Sequence, residues 1–276
     1  MNTTGIIWTE YTWNPVSGCV KVSAGCKFCY ASTIAENMKG TKAFPNGFGL
    51  TLRPHKLKEP YKLKEPSLIF VNSMSDLFWE EISEDYRDQI VDIIEDTPQH
   101  EYQVLTKRPE NMLAYSKRRK LPGNFWAGVT IENNITLDRI KVLQDVDAEI
   151  RFISFEPLLE DLGFDYDLQN IHWVITGGES GVHMLEEKWQ KLRGLVYRDQ
   201  STGKMVVDKD KVSWIRNILT QCRKYDTNFF HKQWGGKFPK SCGRKLDGEE
   251  YDEIPRLPGW NKSLKEVRGE HQGTLL

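Results

Sequence analysis

Phe125-Trp126-Ala127-Gly128-Val129-Thr130, followed at once by Ile131-Glu132-Asn133, sets the pattern from which the fold is read. The six residues stay apolar or small until the closing threonine. That suits a strand covered on both faces in a parallel sheet, not one that alternates between core and water. The stretch after it, Asn133–Val146, lines up Leu137, Ile140 and Leu143 on one helical face. The same unit recurs outward in both directions. Candidate strands lie at Ser67–Asn72, Tyr102–Thr106, Arg151–Phe155, His172–Thr176 and Asn228–Lys232, and Trp8–Trp13 offers a first one. Ser83–Asp96 opens on a serine cap and an acidic first turn, then aligns Tyr86, Ile90, Ile93 and Ile94. Lys211–Tyr225 aligns Trp214, Ile218, Leu219 and Cys222. Strands alternating with helices are βα units, and about six or seven of them predict an α/β fold: a parallel TIM-like barrel, partial or closed, with a doubly wound sheet as the alternative. The polar stretch Leu195–Lys211 interrupts the rhythm. Its centre, Asp199-Gln200-Ser201-Thr202-Gly203-Lys204, predicts a turn between two short strands, hence a small hairpin inserted in one barrel domain spanning 1–259. Residues 260–276 are expected to form a loose tail.

The bulk properties narrow the class. A chain of 276 residues with 39% hydrophobic and 11% aromatic residues can bury one sizeable core. A net charge of -1 excludes whole-chain attraction to nucleic acid or anionic membrane, and leaves only a local basic patch for that work. The compact candidate is Lys117-Arg118-Arg119-Lys120, a solvated helix end or a phosphate contact. No apolar run approaches a membrane span, and the N-terminus carries no secretory pattern. Of five cysteines, three crowd between Cys19 and Cys29. Such clustering is the habit of a metal site in a reducing compartment, so a cytoplasmic protein is expected.

Gly18-Cys19-Val20-Lys21-Val22-Ser23-Ala24-Gly25-Cys26-Lys27-Phe28-Cys29-Tyr30 has the spacing C-x6-C-x2-C. Thiolates suit zinc or iron–sulfur clusters. Structural zinc takes four ligands, and here three stand together. Three thiolates on a cubane leave one iron open to a small molecule. In the zinc alternative Cys242, Cys222 or His55 completes the set. Gly18 and Gly25 let backbone wrap closely.

Cys26-Lys27-Phe28-Cys29 resembles the end of the radical S-adenosylmethionine signature. The chain as a whole is similar to the phage and bacterial three-Cys-motif family of radical S-adenosylmethionine-like proteins. The likeness is carried by Thr12-Trp13-Asn14-Pro15, the cysteine loop, Phe70 to Phe78, Leu105 to Pro109, Trp126 to Asn133, Phe155 to Leu159, Gly177 to Gly181 and Lys232 to Gly235. Two departures from the superfamily stand out. Six residues, not three, separate the first two cysteines, and Asn72-Ser73-Met74-Ser75-Asp76 occupies the place of a Gly-Gly-Glu after the second strand. The resemblance implies a [4Fe–4S] cluster on Cys19, Cys26 and Cys29, S-adenosylmethionine chelating the open iron, and a reductant such as flavodoxin or ferredoxin. It implies an enzyme that cleaves S-adenosylmethionine and starts radical chemistry on an unidentified substrate, nucleic acid or nucleotide among the candidates. The alternative is a non-catalytic zinc- or cluster-binding barrel that recruits a partner.

Each strand is followed by polar groups, and in α/β barrels ligands collect at that carboxyl face. Lys107, Glu156 and Lys232 are the candidate catalytic residues. Phe28, Asn72, Ser73, Asp76, Arg108, Glu132, Gly177, Gly178 and Glu179 are the candidate cofactor contacts. Lys107 and Arg108 suit a carboxylate or phosphate. Glu156 suits ribose hydroxyls or an amine, or else an ion pair with Lys107 or Lys232. Gly177-Gly178-Glu179 looks like the superfamily's amine-binding motif moved to the sixth strand. Trp234 offers a stacking face or a core ring, Cys222 reads as core, and Cys242 as a surface thiol.

Overall fold

A computed structural model describes residues 1–236 and 241–255. Seven parallel strands make the frame: β1 (Tyr11–Trp13), β2 (Leu68–Val71), β3 (Glu101–Thr106), β4 (Phe125–Thr130), β5 (Ile150–Phe155) and β6 (Trp173–Gly177), with β9 (Asn228–Gln233) beyond β6. Asn2–Thr3 adds a short antiparallel strand outside β1. The order is linear, so among the described residues the sheet is a curled half-barrel and not a closed one. The proposed tail at 260–276 lies outside the described residues.

Among the described residues six helices connect the strands: α1 (Tyr30–Asn37), α2 (Glu84–Asp96), α3 (Pro109–Arg118), α4 (Arg139–Gln144), α5 (Glu187–Arg193) and α6 (Val212–Lys224). Ser83 caps α2 as expected, accepting from the Tyr86 N–H, and Tyr86, Ile90, Ile93 and Ile94 are buried. The expected helix over Asn133–Val146 is instead a 3-10 turn (Asn134–Thr136) followed by the short α4. The reason is local: Asn133 and Thr136 cap each other, and Thr136 Oγ1 also accepts from the Glu132 N–H. Trp8, expected in the first strand, lies before it. The inserted hairpin is present as β7 (Val196–Arg198) and β8 (Met205–Val207), antiparallel as the turn chemistry requires.

Strand residues alternate between two cores. One set packs outward against the helices, with Ile69, Val71, Tyr102, Val104, Ala127, Val129, Ile153, Phe155, Val174 and Phe229 among its members. The other fills the concave side: Trp8, Leu68, Phe70, Trp126, Ile150, Phe152, Trp173, Ile175 and Phe230. Trp173 is its hub, meeting Trp126, Phe152, Phe230 and Trp8 at centroid separations of 5.8 to 6.1 Å. Trp8 closes the lower end, its carbonyl accepting from Gln103 Nε2. Gly128 belongs to the inward set and has no room for a side chain: a Cβ there would stand 2.2 Å from the Phe152 ring. The aromatic plug fills the lower part of the barrel, and the next inward positions up β3, β5 and β9, namely Lys107, Ser154, Glu156 and Lys232, are polar.

Two consequences are measurable. Gly128→Ala should lower unfolding free energy by about 1–3 kcal/mol through overpacking against Phe152, read as a shift of the urea midpoint; an unchanged midpoint would contradict this packing. At the lower end Glu101 accepts from Trp126 Nε1 at 2.8 Å. Its carboxyl is pushed up to about 7 by burial, against the pull of the indole N–H and with help from Glu149. A raised folded value means the folded state holds the proton more tightly. Stability from Glu101 is therefore full below about pH 4.5 and declines as pH rises through about 7. Glu101→Gln keeps the acceptor and removes the titration. It should flatten the stability profile between pH 5 and 8 and gain about 2 kcal/mol at the alkaline end.

Candidate functional site

The cysteine loop lies at the carboxyl ends of the strands. Val16–Ser17 pairs with Thr51–Leu52, and the Gly18 N–H then donates to the Met74 carbonyl, which ties the loop to the end of β2. Gly18 has φ of +95°, and a Cβ there would meet the Gly49 carbonyl at 2.2 Å, so this turn requires glycine. Ala24–Cys26 form a 3-10 turn, and Cys29 stands at the N-cap of α1. Cys19, Cys26 and Cys29 are half-buried free thiols. Among the described residues no three histidine, cysteine, aspartate or glutamate side chains converge on a point fit for a single ion. The donor set itself, three soft sulfurs on one glycine-bearing loop, suits a cluster, whose ligands bind separate irons.

Cys19 is held against the β2 and β3 ends. Arg108 Nη1 lies 3.9 Å from its sulfur. Burial pushes the thiol up to about 11, Asp76 adds to the rise, and Arg108 pulls the other way. Asp76 is a hub: Oδ1 accepts from Thr106 Oγ1 at 2.7 Å and from the Phe78 N–H, and Oδ2 accepts from the Lys107 N–H at 3.0 Å and Arg108 Nη1 at 3.2 Å. Arg108 also pairs with Glu80 at 2.9 Å, and its Nη2 is buried without a hydrogen-bond partner among the described residues. Asn72, at φ of 59°, accepts from the Val16 N–H while its own Nδ2 has no described acceptor. Ser73 is linked to Asn14 through its hydroxyl and to the Tyr30 hydroxyl through its carbonyl. These rim residues are thus brought together around the first cysteine.

Glu132 and Glu179 hold the middle of the loop from opposite sides. Glu132 is fully buried. Its Oε1 accepts from Ser23 Oγ at 2.6 Å, and Lys107 (3.5 Å) and Arg139 (3.8 Å) neutralise it. Gly25 packs on this carboxylate, where a Cβ would come within 2.6 Å of Oε1. Ser23 in turn lies 3.7 Å from Cys26 Sγ. A cleft of about 350 Å³ opens beside this contact, lined by Val22, Ser23 and Ala24 on one side and Asn133, Thr136 and Arg139 on the other. Glu179 forms a two-pronged pair with Arg193, at 2.7 and 2.9 Å. Burial raises its carboxyl, and Arg193 and Lys27 draw it back down. Arg193 also donates to the Ala24 carbonyl at 3.2 Å and lies 4.9 Å from the Phe28 ring. Sequence reasoning missed Arg193 and Trp189, whose ring receives Lys27 at 3.9 Å.

Glu156 and Lys232 meet across the mouth. Lys232 Nζ is 2.7 Å from Glu156 Oε1, and Gln233 Nε2 is 3.3 Å from the same oxygen. Both side chains keep some exposure, 16% and 19%, so the pair is reachable from the mouth. Gly177 lies under Glu156, and Gly178 abuts the Trp234 carbonyl, which a Cβ would approach to 2.0 Å. Trp234 is a core ring, 4.6 Å from His231 and bonded to the Lys245 carbonyl. Cys222 is enclosed in the outer core, Cys242 donates to the Met205 carbonyl of the hairpin, and His55 is exposed on the turn Pro54–Lys56. In the basic run, Arg118 pairs with Glu84 and Asp88, and Arg119 with Asp88, Asp92 and Glu95. No helix of the described residues is long and apolar enough to cross a membrane.

The half-barrel is similar to solved structures of spore photoproduct lyase. A cysteine-to-serine mutant of that protein aligns with a TM-score of 0.51 and a cysteine-to-alanine mutant with 0.50, each at 11% identity over 81% of this chain and 76% of that one. A double mutant with bound AdoMet and dinucleoside spore photoproduct aligns at 0.48 and 9% identity. At these identities the likeness is one of fold: a parallel α/β half-barrel. No curated protein matches the chain. A family model described as Protein of unknown function (DUF5131) matches residues 3–207 and 201–255, and the chain belongs to that family.

Proposed function

We propose that this chain is a radical S-adenosylmethionine-like enzyme of the three-Cys-motif kind, holding a [4Fe–4S] cluster on Cys19, Cys26 and Cys29 at the mouth of its half-barrel. The observation that carries the reading is the attachment of a three-thiol loop to the polar strand ends. Cys19 sits against Arg108, and Ser23, beside Cys26, is bonded to the buried Glu132. In a fold whose ligands gather at the carboxyl face, that is where a cofactor would be enclosed.

A bound cluster would supply one electron, delivered by a reductant such as flavodoxin or ferredoxin, to S-adenosylmethionine and so begin radical chemistry. The residues of this chain bind and orient. Asp76 holds the Arg108 guanidinium beside Cys19, leaving the buried Nη2–H to donate to a carboxylate or to sulfur. Asn72 offers its unpaired Nδ2–H at the same end of the sheet. Glu156 and Lys232 share a proton-bearing contact at the mouth, placed to accept a hydroxyl or amine or to hold a proton near substrate. The aromatic plug below them keeps water out of the lower barrel. For a nucleic-acid substrate, phosphates would have to displace the carboxylates that already hold Arg118 and Arg119.

Anaerobic purification tests the reading. The protein should be brown with roughly four irons per chain, and Cys19→Ala, Cys26→Ala and Cys29→Ala should each lose most of that iron. The electron paramagnetic resonance signal of the reduced protein should change on adding S-adenosylmethionine. A colourless protein with one tightly held zinc, or alanine variants that keep their iron, would sink the proposal and favour a metal-stabilised recruiting module.

A further inference from the structure

We infer that Arg193, carried by α5 and locked by Glu179, is the positioning residue that holds the cysteine loop in its metal-binding shape. This rests on the cluster reading above. The orientation of α5 is set by polar contacts and not by an apolar face. The helix buries Gln190 and Arg193 while leaving Leu192 65% exposed, the reverse of an amphipathic core helix. Gln190 accepts from the Arg198 N–H of the hairpin, while Arg193 and Trp189 are turned to the cysteine loop. Arg193 Nη2 donates to the Ala24 carbonyl, which also accepts the Lys27 N–H and so closes the 3-10 turn Ala24–Cys26. The guanidinium lies over Phe28, and Trp189 receives the ammonium of Lys27. Every residue from Ala24 to Phe28 except Gly25 and Cys26 is thus met by α5, and Gly25 is met from the far side by Glu132.

Glu179 serves this arrangement. It is 5% exposed, and both its oxygens are taken by Arg193. A buried carboxylate with its oxygens committed to a guanidinium is a brace for that guanidinium, not an open amine acceptor. The Gly-Gly-Glu on the sixth strand therefore acts here through Arg193 on the loop. Gly178 assists by leaving room for the Trp234 carbonyl, while its N–H donates to the Gln233 carbonyl and fastens this segment to β9.

The test separates the strap from the cluster. Removing Arg193 alone strands a buried carboxylate and threatens folding, so the decisive variant is the double Arg193→Met/Glu179→Met, beside the conservative Arg193→Lys. In iron-free protein, hydrogen exchange at the Cys26 and Lys27 amides should quicken about tenfold in the double variant while β3 to β5 stay protected. In reconstituted protein, iron loss to a chelator should quicken by about the same factor, with Arg193→Lys in between, since lysine restores the charge but not the fork. Exchange within about twofold of wild type overturns the inference, and so does faster exchange with unchanged iron retention. A wild type that takes up no iron overturns the proposed function instead, and the exchange rates still decide whether Arg193 holds the loop.

Discussion

Two buried carboxylates, Glu132 and Glu179, govern the upper half of this molecule, because neither can stay charged in the interior without partners. Each has recruited cations from other parts of the chain, and each touches the cysteine loop or grips the residue that does. Glu132 draws Lys107 and Arg139 and accepts from Ser23. Glu179 draws Arg193, which reaches Ala24. A loop of thiols with little apolar burial of its own is thereby given a defined course by charge.

The barrel below works by a different force. Its concave side is aromatic, and the edge-on contacts around Trp173 fill the space that a narrower set of side chains would leave open. Gly128 is the concession that lets the Phe152 ring lie across the neighbouring strand. The same period-two alternation that turns Phe152 and Phe230 inward turns Glu156 and Lys232 inward further up. Plug and mouth are therefore two levels of one pattern, and the change from aromatic to ionic side chains marks where the closed core ends.

Most of the frame was legible from periodicity because the strands are buried on both faces and α2 and α6 bury one apolar stripe each. The missed elements broke that rule for physical reasons. α1 buries Ala31 and Ala35 and exposes Tyr30 and Ile34, so its large residues point the wrong way for an apolar-face argument. α5 buries an arginine. α3 begins at Pro109, which marks a helix start without revealing its length. In the site, residue type and position at strand ends singled out Asp76, Lys107, Arg108, Glu132, Glu156, Glu179 and Lys232. Which acid meets which base was not legible: Glu156 took Lys232 of the two lysines considered, and Lys107 went to Glu132. Pairing of this kind depends on strand order and on the curl of the sheet, which no local pattern contains.

The rim that results is neutral in sum, though not pair by pair: Arg108 sits between Asp76 and Glu80, Glu132 between Lys107 and Arg139, and Glu156 and Glu179 hold Lys232 and Arg193. Placing a lone anion or cation among them would leave one buried partner uncompensated, at a cost of several kcal/mol. A zwitterion escapes that cost. Its carboxylate can take an N–H that the pairs leave spare, such as Arg108 Nη2, while its ammonium goes to a carboxylate, and the local charge is unchanged. An amino-acid moiety is a ligand of that kind. The electrostatics of the rim therefore suit a zwitterion better than a lone ion.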